Sequence, residues 1–124
     1  MERTTRQRLA IRRALERLAR PLSPQELLDE ARQEVPAIGL ATVYRAVRAL
    51  VADGVVLAVE LPGEPARYEL AGSAHHHHFR CRSCDRVFEV AGCPPGLAAL
   101  VPAGFELERH ELVLYGRCGE CRAA

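Results

Sequence analysis

Apolar and polar positions change period along this chain, and the change divides it. Over residues 5–19, TRQRLAIRRALERLA, the residues Leu9, Ile11, Leu15 and Leu18 fall largely on one side of a helix, with arginines on the other. Pro21 ends that helix. The next segment, LSPQELLDEARQEV, opens with Ser23 as N-cap, Pro24 at the first helical position and Glu26 three residues after the cap. That is a capping-box pattern, and the helix should stop before Pro36. After Gly39, LATVYRAVRALVADG sets Leu40, Val43, Val47 and Leu50 on one helical face, with Gly54 as the stop. Three short helices with tight connections have the form of a helix-turn-helix unit.

From Gly54 the period shortens. VVLAVELP and ARYEL read as strands joined by a PGEP turn, a hairpin packed behind the third helix, which is the element order of a winged helix. Past AGSA a second unit begins: a strand running into FRC, a strand RVFEV, a short helix at GLAAL after Pro94 and Pro95, and a long strand FELERHELVLYG. The expected fold is α+β, with a winged helix-turn-helix domain over residues 1–71 and a small α/β domain over residues 72–124.

Composition sharpens this division. At 124 residues the chain is one domain or two very small ones, and small units need a metal or a partner subunit to hold a core. All 17 cations are arginine, which binds phosphate and guanine better than lysine does. Residues 1–50 carry ten Arg against six acids, net +4, and residues 51–124 carry seven Arg against ten acids, net −3. A basic front and an acidic back suggest two tasks. No segment approaches a membrane span, and MERTTRQRLAIRR has no apolar signal region, so a cytoplasmic protein without membrane contact is expected.

In that setting five cysteines argue against a disulfide framework. Four fall into two Cys-x-x-Cys pairs, Cys81/Cys84 and Cys118/Cys121, with 33 residues between them. Paired spacing of this kind reads as a tetrahedral structural zinc site, which would clip the last strand to the start of the second unit. A redox dithiol and four unrelated thiols are the rival readings.

The run His75–His78, HHHH, resembles a purification tag, but it lies past the middle of the chain, three positions before Cys81. On a strand, His75 and His77 point one way and His76 and His78 the other. Histidines two apart can share a metal, so the run predicts two sites on opposite faces. Candidate partners are Glu69, Glu89, His110 and the group Glu106, Glu108 and Glu111. Imidazole mixed with carboxylate suits Zn, Fe or Mn and exchanges more readily than four thiolates do. An exchangeable site beside a permanent one is what a sensor needs.

In the basic half, the helix GLATVYRAVRAL would enter the major groove and present Thr42, Tyr44, Arg45 and Arg48. Arg45 has the geometry to read guanine and Tyr44 to meet a thymine methyl, while Arg6, Arg8, Arg12 and Arg13 serve phosphates.

IGLATVYRAVRAL over residues 38–50, HHHHFRCRSC over 75–84 and LYGRCGEC over 114–121 together resemble the ferric uptake regulator family, along essentially the whole chain. The resemblance implies a homodimeric, metal-activated repressor whose winged helix binds palindromic operators and whose C-terminal unit dimerises. It implies Cys81, Cys84, Cys118 and Cys121 as structural zinc ligands, and Glu69, His76, His78 and Glu89 as a regulatory site for Zn2+, Fe2+ or Mn2+. It implies His75, His77 and His110 as an additional site, and Tyr44 and Arg45 as base contacts.

The chain departs from the family in four places. Pro21 stands where iron and peroxide sensors usually carry a histidine, which weighs against peroxide sensing, and Ala71 stands near where zinc sensors often carry a cysteine. The carboxylate that often completes the additional site gives way to Pro95-Gly96. The leftover Cys93 is read as a small buried thiol, with substitution for that carboxylate as the alternative. The first helix also starts too early to carry the extra minor-groove contacts of longer members. The expectation is a regulator of zinc or iron homeostasis and not an enzyme. Its rivals are a peroxide-responsive relative, a zinc enzyme using His75, His77 and His110 with an open fourth position, and a metal-storage module.

Overall fold

A computed structural model describes residues 2–72 and 75–123 of the chain, the side chain of Glu2 apart. The chain divides into two compact units, Met1–Ser73 and Ala74–Ala124.

The first unit is built on helices α1 (Glu2–Leu18), α2 (Pro24–Ala31) and α3 (Leu40–Ala52), followed by the antiparallel hairpin β1 (Val56–Val59) and β2 (Arg67–Leu70). α1 buries Ala10, Ile11, Ala14 and Leu15, which meet Leu27, Leu28 and Ala31 of α2 and Val43, Val47 and Leu50 of α3 in one core. Each large aliphatic side chain buried there contributes about 1.5–3 kcal/mol. Two residues expected on this apolar face lie outside it: Leu9 and Leu40 are each 40% exposed. The reason is the inward turn of α1 through the small Ala10 and Ala14, and the position of Leu40 in the first turn of α3. α2 is shorter than its sequence pattern suggests and ends at Ala31, after which single turns carry the chain to Ile38. The segment after α1 adds a one-residue bridge to the hairpin, Leu22 and Tyr68 exchanging backbone hydrogen bonds of 2.8 and 2.9 Å. The result is a three-helix winged helix.

The second unit is a three-stranded sheet in the order β4-β3-β5, made from β3 (His76–Cys81), β4 (Val87–Ala91) and β5 (Val113–Gly116). β3 runs antiparallel to β4 and parallel to β5, leaving one side of β5 as a sheet edge. A 3-10 turn, Leu97–Leu100, replaces the expected helix, and a short helix α4 (Gly119–Ala123) follows the last strand. The long terminal strand is reduced to four residues: between Phe105 and Leu112 the chain makes no regular pairing, since in the register of β5 with β3 Glu111 already stands level with His76, where β3 begins. Among the described residues of this unit only His77, Cys81 and Val87 are buried. An apolar core this small does not hold a fold, so the polar clusters below carry weight that packing carries in the first unit.

Candidate functional site

The Cys81/Cys84 pair spans the turn between β3 and β4. The Asp85 N–H donates to the Cys81 carbonyl at 3.0 Å, and Asp85 itself sits at φ 64°, a left-handed conformation that Asp tolerates. Cys118 ends the loop after β5, and α4 brings Cys121 one helical turn later. The four Sγ atoms lie within 4.8 Å of one another, and Cys84 Sγ is 3.8 Å from Cys118 Sγ. A tetrahedron with metal–sulfur bonds of about 2.3 Å has edges of about 3.8 Å. The backbone N–H groups of Cys84 and Cys118 donate to Cys81 Sγ at 3.4 and 3.3 Å. Burial raises the Cys81 pKa, but N–H donors from Cys118, Cys84 and Ser83 overcome it and bring the thiol down to about 6. Cys121, crowded by the thiols of Cys118 and Cys81, is pushed up to about 12. Four thiols so close cannot all ionise on their own, and a divalent cation is the partner that lets them.

The histidine run divides as strand geometry requires. On one face of β3 the His76 and His78 rings meet edge to face, 4.9 Å between centroids, and His76 Nε2 is 3.8 Å from Glu89 Oε1 on β4. Glu89 stands directly across from His78 in the register. Glu69, the other expected carboxylate, is on β2 of the first unit, opposite Leu57.

The other face gathers His75, His77, His110 and Cys93, the residue read as the alternative to the missing carboxylate. His77 Nε2 lies 3.1 Å from His75 Nε2, 3.1 Å from His110 Nε2 and 3.0 Å from Cys93 Sγ. Burial, then the neighbouring His75 and His110, lowers the His77 pKa and favours the neutral imidazole that a metal requires. Cys93 is exposed, contrary to the expectation of a small buried thiol. It follows the end of β4 in a loop that turns at Gly92, φ 84°, and is stiffened by Pro94 and Pro95, which leaves it facing the imidazoles with no core behind it. Of the other candidate carboxylates, Glu106, Glu108 and Glu111 are exposed beside His110 and belong to none of these clusters.

On α3, Tyr44, Arg45 and Arg48 are exposed and Thr42 is half-buried. Arg45 donates to Thr42 Oγ1 at 2.9 Å, which holds both on one face near the start of the helix. Gly39 caps α3 without a side-chain bond, so its first turn is uncluttered. On α1, Arg6 is exposed and Arg8 half-buried with its Nε unpaired, whereas Arg12 pairs with Glu16 at 3.7 Å and Arg13 with Glu34 at 2.7 Å. The last two are therefore partly engaged within the unit. No helix is long and apolar enough to cross a membrane among the described residues.

The sequence profile of the ferric uptake regulator family matches residues 2–115. The chain is 37% identical to a zinc uptake regulation protein of Mycobacterium tuberculosis, over 98% of this chain and 95% of that protein. It is 32% identical to ferric uptake regulation protein 2 of Mycolicibacterium fortuitum, over 98% of this chain and 87% of that one. A solved structure of the ferric uptake regulator of Francisella tularensis with iron superposes with a TM-score of 0.70 at 30% identity, covering 93% of this chain and 90% of that one. A winged helix, a four-cysteine cluster and this likeness from end to end place the chain in the ferric uptake regulator family, as a metal-responsive transcriptional regulator of metal homeostasis.

Proposed function

We propose that the protein is a cytoplasmic, metal-activated repressor that binds a palindromic DNA operator as a homodimer and acts by binding alone, without catalysis. Residues 1–71 form the DNA-reading domain, with Thr42, Tyr44, Arg45 and Arg48 at the bases and Arg8 at the backbone. Residues 72–124 form the dimerisation and metal domain. Cys81, Cys84, Cys118 and Cys121 hold a structural zinc. Glu69, His76, His78 and Glu89 hold the exchangeable ion that regulates, and His75, His77 and His110 form the additional site.

One observation carries this reading: a single strand, β3, sends alternate histidines to opposite faces directly beside a four-thiol cluster. The set with His76, His78 and Glu89 mixes imidazole and carboxylate, which suits exchange of a first-row divalent ion, whether zinc, iron(II) or manganese(II). A bound cation there supplies a tie between Glu69 of the first unit and the second unit's ligands, favouring the DNA-competent arrangement over others. Support for the homodimer comes from the edge of β5, where Leu114 and Tyr115 are exposed, and from exposed Leu100, Phe105 and Leu107 in the same unit. Sheet edges and apolar surface of this kind call for a partner.

The test is operator affinity by fluorescence anisotropy with and without each metal, on a duplex selected from a random pool. A coupling of about 1–3 kcal/mol tightens binding on the order of 5- to 150-fold. His76→Ala or His78→Ala should lose that stimulation while keeping the tightly held zinc and the fold. Undiminished metal stimulation in both variants rejects the regulatory assignment.

A further inference from the structure

The additional site, as the family resemblance draws it, has three imidazoles and lacks its usual carboxylate in this chain. The structure supplies a donor that the resemblance does not. We infer that Cys93 is a metal ligand: with His75, His77 and His110 it forms a closed, four-coordinate site of three nitrogens and one thiolate, selective for zinc-class ions.

The geometry is that of ligands and not of a hydrogen-bonded cluster. Each Nε2 has a single outward direction, in the plane of its ring, available either for one N–H or for one lone pair. Yet His77 Nε2 lies 3.0–3.1 Å from three different atoms, and His110 Nε2 is 3.2 Å from His75 Nε2 and 3.3 Å from Cys93 Sγ. One direction cannot serve three bonds, so these atoms converge on a common point between them. The edges of a tetrahedral zinc site with bonds of about 2.0–2.1 Å to nitrogen are about 3.3 Å, close to the separations found. The ring geometry agrees, with His75 roughly perpendicular to both His77 and His110 at centroid distances of 4.5 and 4.8 Å, so three imidazoles approach from different sides.

Two consequences follow from the fourth ligand. A thiolate in place of a carboxylate shifts preference toward zinc and away from manganese and magnesium, which favour oxygen. Four protein donors also leave no open coordination position, so the arrangement lacks the vacant site that a hydrolytic zinc enzyme needs. That is a property of the donors present and removes the zinc-enzyme reading of His75, His77 and His110.

This inference rests on the proposed function only in treating that face as a metal site, and its test is independent of DNA binding. The regulatory set proposed above contains no sulfur. Protein that retains its tightly held zinc is therefore titrated with Co2+, and the sulfur-to-cobalt charge-transfer absorption in the near ultraviolet is recorded. The band should appear in the wild type, persist in His76→Ala and vanish in Cys93→Ser. The same variant should bind zinc at this face more weakly by at least the roughly 10- to 100-fold that loss of a supporting contact costs a metal site. Should Cys93→Ser fold poorly, the wild type answers alone: zinc should protect Cys93 from alkylation by iodoacetamide, read on its own peptide by mass spectrometry. No band in the wild type, a band that survives Cys93→Ser, or alkylation of Cys93 that is indifferent to saturating zinc would each overturn the assignment. Failure of His76→Ala to change DNA binding would instead count against the regulatory site and leave this one standing.

Discussion

Glu26 shows how much one side chain is asked to do. Its carboxylate accepts from the Ser23 N–H at 3.1 Å while Ser23 Oγ accepts from the Glu26 N–H at 3.1 Å, closing the capping box of α2. It also takes an ion pair from Arg20 at 2.9 Å and another, at 3.4 Å, from the buried Arg67 of β2. Burial pushes its pKa up, but the Ser23 bond and the two guanidinium groups outweigh it and the net shift is downward from 4.5. A carboxylate with a depressed folded pKa stabilises above its unfolded pKa, and that stability is lost as pH falls through the folded value. Glu26→Gln should therefore cost about 1 kcal/mol near neutral pH, with the difference from wild type shrinking on acidification. Urea unfolding followed by Tyr44 and Tyr68 emission, in a Tyr115→Phe background, measures it; a pH-independent difference would refute the ionic part. The capping box was legible because it is local, four residues from Ser23 to Glu26. The arms from Arg20 and Arg67 were not, because Arg67 is 41 positions away and only the hairpin brings it back.

The elements were legible in proportion to how much of their pattern is their own. α1 and α3 announce themselves by repeated apolar faces; the histidine run has no period of its own, but once placed on β3 the sheet divides it between faces as expected. β5 was read too long and α4 was not read at all: the long strand shrinks to the part that pairs with β3, and five residues are too few to show a helical period. Cys93 was read as buried for a related reason, since its exposure depends on where β4 stops. β5 offers a test of pairing by itself. Gly116 lies beside Phe79 of β3, and an added Cβ would stand 3.1 Å from the Phe79 Cζ and 3.6 Å from its Cε2. Gly116→Ala should cost about 1 kcal/mol through overpacking, seen as a lower melting temperature of zinc-loaded protein. Combining it with Phe79→Leu should recover most of the loss; no recovery would mean that the strain lies elsewhere.

Over the whole molecule, each of the two units is stabilised internally by a different means. Among the described residues the first buries fourteen in one apolar cluster, the second only His77, Cys81 and Val87. Chelation harsh enough to strip the four-cysteine cluster should therefore unfold the second unit and spare the first. Amide hydrogen exchange tests this: β3, β4 and β5 should lose protection while α1 and α3 keep theirs, and a uniform response would contradict it. The need for a metal in the second unit was readable from its paired cysteines, although the size of its core was not. The cluster has a further duty toward the histidines. Four identical residues in a row cannot specify their own phase: slide β3 one step past β4 and imidazoles still stand opposite most of the same partners. What locks the frame lies just beyond them, in Cys81 with its two N–H donors and in Phe79 against Gly116. The thiol cluster thus acts as the index mark that allots each histidine to its face, and without it the chain would keep its ligands but lose track of which is which.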